Sequence, residues 1–126
     1  MIEREITFNY NEKKFNIKFP NVGQMIDIEG MKNSLTRGKY GSFAASGIQS
    51  MYLILDMVDT IAFISIMCPK LKKMISSDEE VDYTDMNPED LKDLIKVYKT
   101  EIFPWYSKII KELYSSSNEA IDEKDK

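Results

Sequence analysis

The stretch from Gly47 to Cys68 most constrains how this chain can fold. Only Asp56 and Asp59 carry charge within it, and most of the other positions are apolar. At about 100° per residue, its polar side chains fall in one narrow sector of a helix and apolar side chains cover the rest. A helix this apolar must be covered on most sides, by the rest of the chain or by partners. We therefore predict a fold organised around one central helix.

The central stretch is long enough to raise the question of a membrane span, which needs about 20 apolar residues. Its two aspartates argue against a span. Each costs roughly 2.5–3.5 kcal/mol at mid-membrane, while each Leu, Ile, Phe or Val returns only about 0.3–0.6 kcal/mol. We predict a core helix and no membrane partner. Asp56 and Asp59 are then either a solvated stripe or the partners of basic groups on another helix or subunit.

The amino-acid composition excludes most common kinds of catalytic site. The chain has no histidine and one cysteine, Cys68. The commonest general base, Ser-His and Cys-His nucleophile pairs, internal disulfides and cysteine-based zinc sites are therefore missing. Gly38, Gly41 and Gly47 lack the spacing of a phosphate-binding loop. We expect no enzyme, no metal and no cofactor, and a buried, inert thiol at Cys68.

Charge is divided unevenly along the chain. Met1 to Ser76 contains ten Lys or Arg and seven Asp or Glu, whereas Ser77 to Lys126 contains seven and fourteen. These are either two solvated ends of one domain or unlike surfaces that suit contact between neighbouring subunits. The net charge of −4 argues against nucleic acid as the main partner, because phosphate binding needs a concentrated basic face. No signal-peptide pattern is present at the N-terminus, so we expect a cytoplasmic location.

The N-terminal residues predict a β-hairpin over 2–19. Apolar and polar residues alternate from Ile2 to Tyr10 and again from Phe15 to Phe19, around a short polar connection at Asn11 to Lys13. Pro20 ends the second strand. A two-stranded hairpin is only marginally stable alone, so its apolar face must lie on helices or join a neighbour's sheet.

Beyond the hairpin the apolar period changes from two to 3.6, which predicts helices. The predicted helices cover about 22–35, 47–68 and 88–114. Each follows a residue that can cap it: Asn21, Ser46 and Asn87. Pro104 lies inside the third helix and removes a backbone donor, but the apolar stripe keeps its phase past it. We therefore predict a kinked helix rather than two unrelated ones.

The remaining segments connect or follow the helices. We predict a glycine-rich connection at 36–46, an acidic linker at 76–86 and a disordered polar tail at 115–126. The predicted fold class is α+β, helix-dominated, with an N-terminal β-hairpin followed by about three main helices in a single small domain over 1–114. The side chains predicted to be buried are Leu55, Ile61, Ile64, Leu94, Ile95 and Tyr98.

Two groups of aromatic and basic residues are candidate protein-binding sites. The first lies in the glycine-rich connection, where the aromatics either tuck onto the core or order against a partner. The second lies at the predicted kink, where the aromatics are either core or interface anchors. The candidate residues are Arg37, Lys39, Tyr40 and Phe43 in the first group and Phe103, Trp105 and Tyr106 in the second.

The layout of the chain resembles small proteins of tailed bacteriophages, in particular the tail assembly chaperone-like group and small accessory virion proteins. The resembling features are the run from Phe15 to Pro20 leading into Val22-Gly23, then Val97-Tyr98, and Phe103 to Tyr106 near the end. The resemblance implies a non-catalytic protein that binds other phage structural or assembly proteins, or copies of itself. It implies a location in the host cytoplasm during assembly, or in the finished virion. A chaperone of this group would bind the tape-measure protein.

Two other classes stay open on the sequence. One is a small phage-encoded regulatory or inhibitory protein that binds a host protein. The other is a helical domain that binds a lipid or small ligand, which would need a sizeable apolar cavity.

Overall fold

The computed structural model describes residues 4–71 and 86–124. The fold is α+β and helix-dominated, with an N-terminal β-hairpin followed by helices, as the sequence predicts. The chain forms two compact units, one of Met1–Phe19 with Val97–Lys126 and the other of Pro20–Lys96. The single domain predicted over 1–114 stays a prediction. Nearly all of the predicted acidic linker at 76–86 lies outside the described residues.

The elements follow the predicted order, with one addition. The strands are β1 (Glu5–Tyr10) and β2 (Lys13–Lys18). The helices are α1 (Val22–Leu35), α2 (Tyr40–Ala45), α3 (Gln49–Met67), α4 (Pro88–Val97) and α5 (Phe103–Lys124), with a π-helical turn (Tyr98–Ile102) between the last two. The addition is α2, a short helix inside the segment predicted as a glycine-rich connection.

In the first unit, β1 and β2 form a two-stranded antiparallel sheet. Phe8 lies opposite Phe15, and the two rings stack with their centroids 5.5 Å apart. Both rings and Ile17 are buried, because alternation along a strand places them on one face. Only Asn11 and Glu12 form the turn, both with positive φ (50° and 64°), which suits the twist of a two-residue hairpin.

A π turn (Tyr98–Ile102) lies just before Phe103 and Pro104, where the sequence predicts a kink. Proline has no N–H, and its ring clashes with the carbonyl four residues back in a regular helix. The Phe103 N–H donates to the Tyr98 carbonyl, which is the wider spacing of a π helix. Helix α5 then continues to Lys124, past residue 115 where the sequence predicts disorder. Residues 115–124 contain neither Gly nor Pro, the two residues that disfavour helix most.

In the second unit, Asn21 caps α1 as predicted. The Asn21 side-chain oxygen accepts from the Gln24 N–H at 2.8 Å, and the Gln24 side chain accepts from the Asn21 N–H at 3.0 Å. This reciprocal pair satisfies two donors at the helix start. Helix α1 packs on α3. Its predicted apolar face is only partly used, because Ile28 is buried while Val22 and Ile26 are 75% and 65% exposed.

The predicted N-cap Ser46 does not cap the central helix. Helix α3 begins at Gln49, and its N-cap Ile48 has no capping side chain. Gly47 precedes it with φ +70°, a left-handed conformation that glycine adopts at little cost. The Ser46 hydroxyl accepts from the Ile48 N–H at 3.3 Å and not from a backbone N–H of α3.

The C-terminal half of α3 is the core of the second unit. Every side chain from Thr60 to Ile64 is buried, and the Thr60 hydroxyl is satisfied by donating to the Asp56 carbonyl at 2.7 Å. Cys68 is buried as predicted, and burial raises the pKa of its thiol. Of the side chains predicted to be buried, Ile95 is partly exposed and the others are buried: Leu55, Ile61, Ile64, Leu94 and Tyr98.

Candidate protein-binding groove

An apolar groove lies between α3 and α4 in the second unit, and we call it the α3–α4 groove. Its lining is Leu53 and Met57 from α3 with Pro88, Glu89, Lys92 and Ile95 from α4. The groove is open to solvent and encloses about 320 Å³. Because four of the six described lining residues are apolar, this surface suits an apolar side chain rather than a polar ligand.

The turn that begins α4 positions the α4 side chains that line the groove. The Asn87 side-chain oxygen accepts from the Glu89 N–H at 3.2 Å, so the predicted cap is confirmed. Pro88 occupies the first helical position, where its missing N–H costs nothing. Residues 88, 92 and 95 then recur at steps of four and three and share one side of the helix.

The side of α4 next to the groove-lining residues is buried. Leu91 and Leu94 are 3% and 0% exposed. They anchor α4, while the groove-facing side keeps Glu89 and Lys92 in solvent. Neither charged side chain forms an ion pair with another residue in the described part of the chain.

The first turns of α3 carry exposed apolar side chains. Ile48, Tyr52 and Leu53 are each at least half exposed, at 54%, 50% and 54%. At 100° per residue, Tyr52 and Leu53 point in clearly different directions, so this end of α3 presents apolar surface on more than one side. Leu53 is exposed and also lines the groove, so apolar surface extends from the groove onto this residue of α3.

Sequence reasoning did not select any residue of this groove as a site residue. The signal available was the apolar surface of the central stretch, which surrounds almost the whole helix and therefore does not show which side stays uncovered. The sequence predicts Ile95 as a core residue, whereas in the structure Ile95 is partly exposed and lines the groove.

Tyr40, a predicted site residue, is held in a polar cluster within the second unit. Its hydroxyl donates to the Asp59 carboxylate at 2.7 Å. Lys32 Nζ lies 3.7 Å from the same carboxylate, 3.0 Å from Glu29 and 5.4 Å from the centre of the Tyr40 ring. Asp59 therefore pairs with a basic group of another helix, one of the two alternatives left open by the sequence. Burial, followed by the hydrogen bond to Asp59, raises the pKa of Tyr40.

The other predicted residues of this segment surround α2. Arg37 and Lys39 are exposed, and Arg37 has φ +56°. Phe43 is partly exposed, and no side chain of α2 is buried. The structure thus brings Tyr40 to α1 and α3 and leaves the two basic residues in solvent. Their predicted role in steering an acidic partner stays a prediction.

We expect Asp59→Asn to change how stability depends on pH. Burial raises the pKa of the folded Asp59 carboxyl above its ordinary 3.8, so the folded state favours the neutral form. That stabilising contribution is complete below pH 3.8 and is lost as pH rises through the folded pKa. Asn does not ionise. The stability of the variant minus that of the wild type should therefore rise with pH across this window and then level, as measured by urea unfolding at a series of pH values.

A second variant checks the cause. Tyr40→Phe removes a donor that favours the ionised Asp59, so its own loss of stability with rising pH should be larger than that of the wild type. A difference between Asp59→Asn and wild type that fell with rising pH would show that the Tyr40 hydrogen bond and the Lys32 ion pair together outweigh burial.

The predicted aromatic residues of the second group lie in the first unit. Trp105 and Tyr106 are each 9% exposed and pack on Phe19, with ring centroids 5.7 Å and 5.6 Å away. Phe103 is 46% exposed, with its ring centroid 6.1 Å from that of Tyr98. Of the two alternatives, core or interface anchor, Trp105 and Tyr106 therefore match the core. Phe103 is the aromatic residue of this group that is exposed.

A second concavity lies on the polar face of the hairpin. It encloses about 540 Å³ and is lined by Arg4, Glu5, Ile6, Thr7 and Asn16. Thr7 and Asn16 are hydrogen-bonded to each other at 3.1 Å. All of the lining except Ile6 is exposed, so the hollow lacks the walls that would enclose a ligand.

The described residues can also be tested for a metal site and for a membrane-spanning helix. No group of three or more His, Cys, Asp or Glu side chains within residues 4–71 and 86–124 could hold a metal ion. By length and composition alone, α3 is apolar enough to cross a membrane, a test that core helices of soluble proteins also pass. The share of that apolar stretch that is buried is 39%, and the expected absence of a membrane partner stays a prediction.

The fold and the site describe a small α+β, helix-dominated protein with an open apolar groove on one helix pair. Comparison of the chain with protein-family models, with curated proteins and with solved structures found no match.

Proposed function

We propose that the protein is a non-enzymatic bacteriophage protein that acts through protein–protein contacts in tail or virion assembly. The observation that carries the binding role is the apolar α3–α4 groove, which is open to solvent and includes the half-exposed Leu53. Contiguous apolar surface on a small protein marks a site of interaction.

The groove favours a protein partner over a small polar ligand. Among the described lining residues the charged groups are Glu89 and Lys92, and both are in solvent, so none of these residues holds a polar side chain inside the groove to orient a ligand. An apolar centre with charged residues at its edge is the usual anatomy of a protein–protein interface.

A binding role also agrees with the residue inventory. The chain lacks histidine, the residue most often used for proton transfer at neutral pH. The phage assembly part of the proposal is supported by the layout resemblance, through the run from Phe15 to Pro20 and the cluster from Phe103 to Tyr106.

The test is capture of partners from cells infected by the encoding phage. Tagged wild-type protein should retain a phage structural or assembly protein, identified by mass spectrometry. Leu53→Asp places a charge in the groove and should reduce capture by about tenfold or more. Ile26→Asp introduces the same charge at an apolar residue of α1 that is also exposed and does not line the groove, and this variant should capture normally.

Capture of no phage structural protein, together with absence of the chain from purified virions, would contradict the assembly role. Capture of a host enzyme alone would replace it with the inhibitory role.

A further inference from the structure

We propose that the α3–α4 groove is a self-association surface, on which two copies of this chain pair about a two-fold axis. In this arrangement Leu53 of each copy enters the groove of the other. The inference rests on the proposed protein-binding function and names a second copy as the occupant of the same surface.

Self-complementarity is the first argument. An interface between two identical copies uses the same patch on both, so a patch must carry both the protruding side chain and the hollow that receives it. Leu53 is 54% exposed and also lines the groove, with Met57 one turn further along α3 and Ile95 across from them. One surface therefore holds both a projecting apolar side chain and an apolar hollow.

The two charged groups at the edge supply the second argument. Glu89 and Lys92 lie three residues apart on α4, about 4.5 Å along the helix axis. They have opposite charge, and neither has an ion-pair partner among residues 4–71 and 86–124. When two copies of α4 run antiparallel across a two-fold axis, Glu89 of one copy faces Lys92 of the other, and the symmetry repeats the pair.

This charge pattern is what makes a second copy the favoured occupant. The chain carries a net charge of −4, so two copies repel each other in general. Among the described lining residues the edge carries one charge of each sign and is complementary to itself, so this pair of residues adds no repulsion.

The first experiment is sedimentation equilibrium of the purified full chain over a concentration series. The wild type should approach twice the 14.7 kDa chain mass as concentration rises. Leu53→Asp should weaken association by about tenfold or more, since it replaces an apolar anchor with a charge. Ile26→Asp should associate like the wild type. Circular dichroism confirms that each variant is folded.

The decisive experiment reverses the charges. Glu89→Lys places lysines opposite each other at both edges, and Lys92→Glu places glutamates there, so each variant alone should associate more weakly than the wild type. In a mixture of the two, one variant carries lysine at both edge positions and the other carries glutamate at both. Every facing pair of a mixed dimer then joins opposite charges, so the mixture should associate. A merely structural effect of either substitution would not be rescued by mixing.

A wild-type chain that stays monomeric at all concentrations would overturn the proposal, as would charge-reversed variants that fail to associate when mixed. The proposed function is judged separately by capture from infected cells. A monomeric chain that still captures a phage protein through Leu53 would keep the function and remove the self-association.

Discussion

Phe63→Ala is expected to lower the free energy of unfolding by about 3–5 kcal/mol. Phe63 is 0% exposed and lies in the stretch of α3 from Thr60 to Ile64, where every side chain is buried. Removing the ring loses its transfer free energy and leaves a cavity, since neighbours buried on all sides close in only partly. Urea unfolding followed by circular dichroism measures the loss.

The matched control is the same substitution at an exposed phenylalanine. Phe103 is 46% exposed, so Phe103→Ala removes less buried surface and should cost clearly less. Equal losses for the two variants would mean that the C-terminal half of α3 is not packed as described, and would return the central helix to the membrane or partner-covered alternatives.

Phe8→Ala is the second substitution with a large expected effect, also about 3–5 kcal/mol, because it removes a fully packed ring. Phe8 is 1% exposed and stacks on Phe15 across the hairpin. A two-stranded hairpin has little stability of its own, so the loss of this pair also weakens the sheet. Trp105, the single tryptophan, belongs to the same unit and reports the unfolding by fluorescence.

Asn9→Ala is the control for this strand. Asn9 is exposed on the opposite face of β1 from Phe8, so its substitution should change stability by about 0.5 kcal/mol or less. A comparable loss at both positions would contradict the assignment of one buried and one solvated face to the hairpin.

The elements best predicted from the sequence are those determined by local chemistry. Helix α1 begins and ends where predicted, at Val22 and Leu35, because Asn21 and Gln24 satisfy each other's backbone donors within a few residues. The hairpin follows from alternation alone, since side-chain direction reverses at each residue of a strand. The start of α4 follows from Asn87 and Pro88.

The structure differs from the sequence predictions where local sequence signals are weak or compete with one another. The sequence predicts a connection between residues 36 and 46, since glycines disfavour a helix there. Helix α2 nevertheless forms in this segment and places Tyr40 against Asp59. Ser46 is a good capping residue, but the positive φ of Gly47 moves the helix start beyond its reach. At Pro104 the sequence indicated an interruption, and the π turn before it is one of several ways for a helix to accommodate a proline.

By itself, the sequence determined the fold class, the hairpin, the position of the main helices and the lack of the commonest catalytic groups, because periodicity, capping and residue chemistry act over a few neighbouring residues. Only the tertiary structure decided which apolar residues stay uncovered. Trp105 and Tyr106 are packed against Phe19, whereas Leu53 and Ile95 are left at the open groove. Burial depends on which distant residues pack against a side chain, and an almost wholly apolar helix such as α3 carries no local mark of the side that its own chain leaves free.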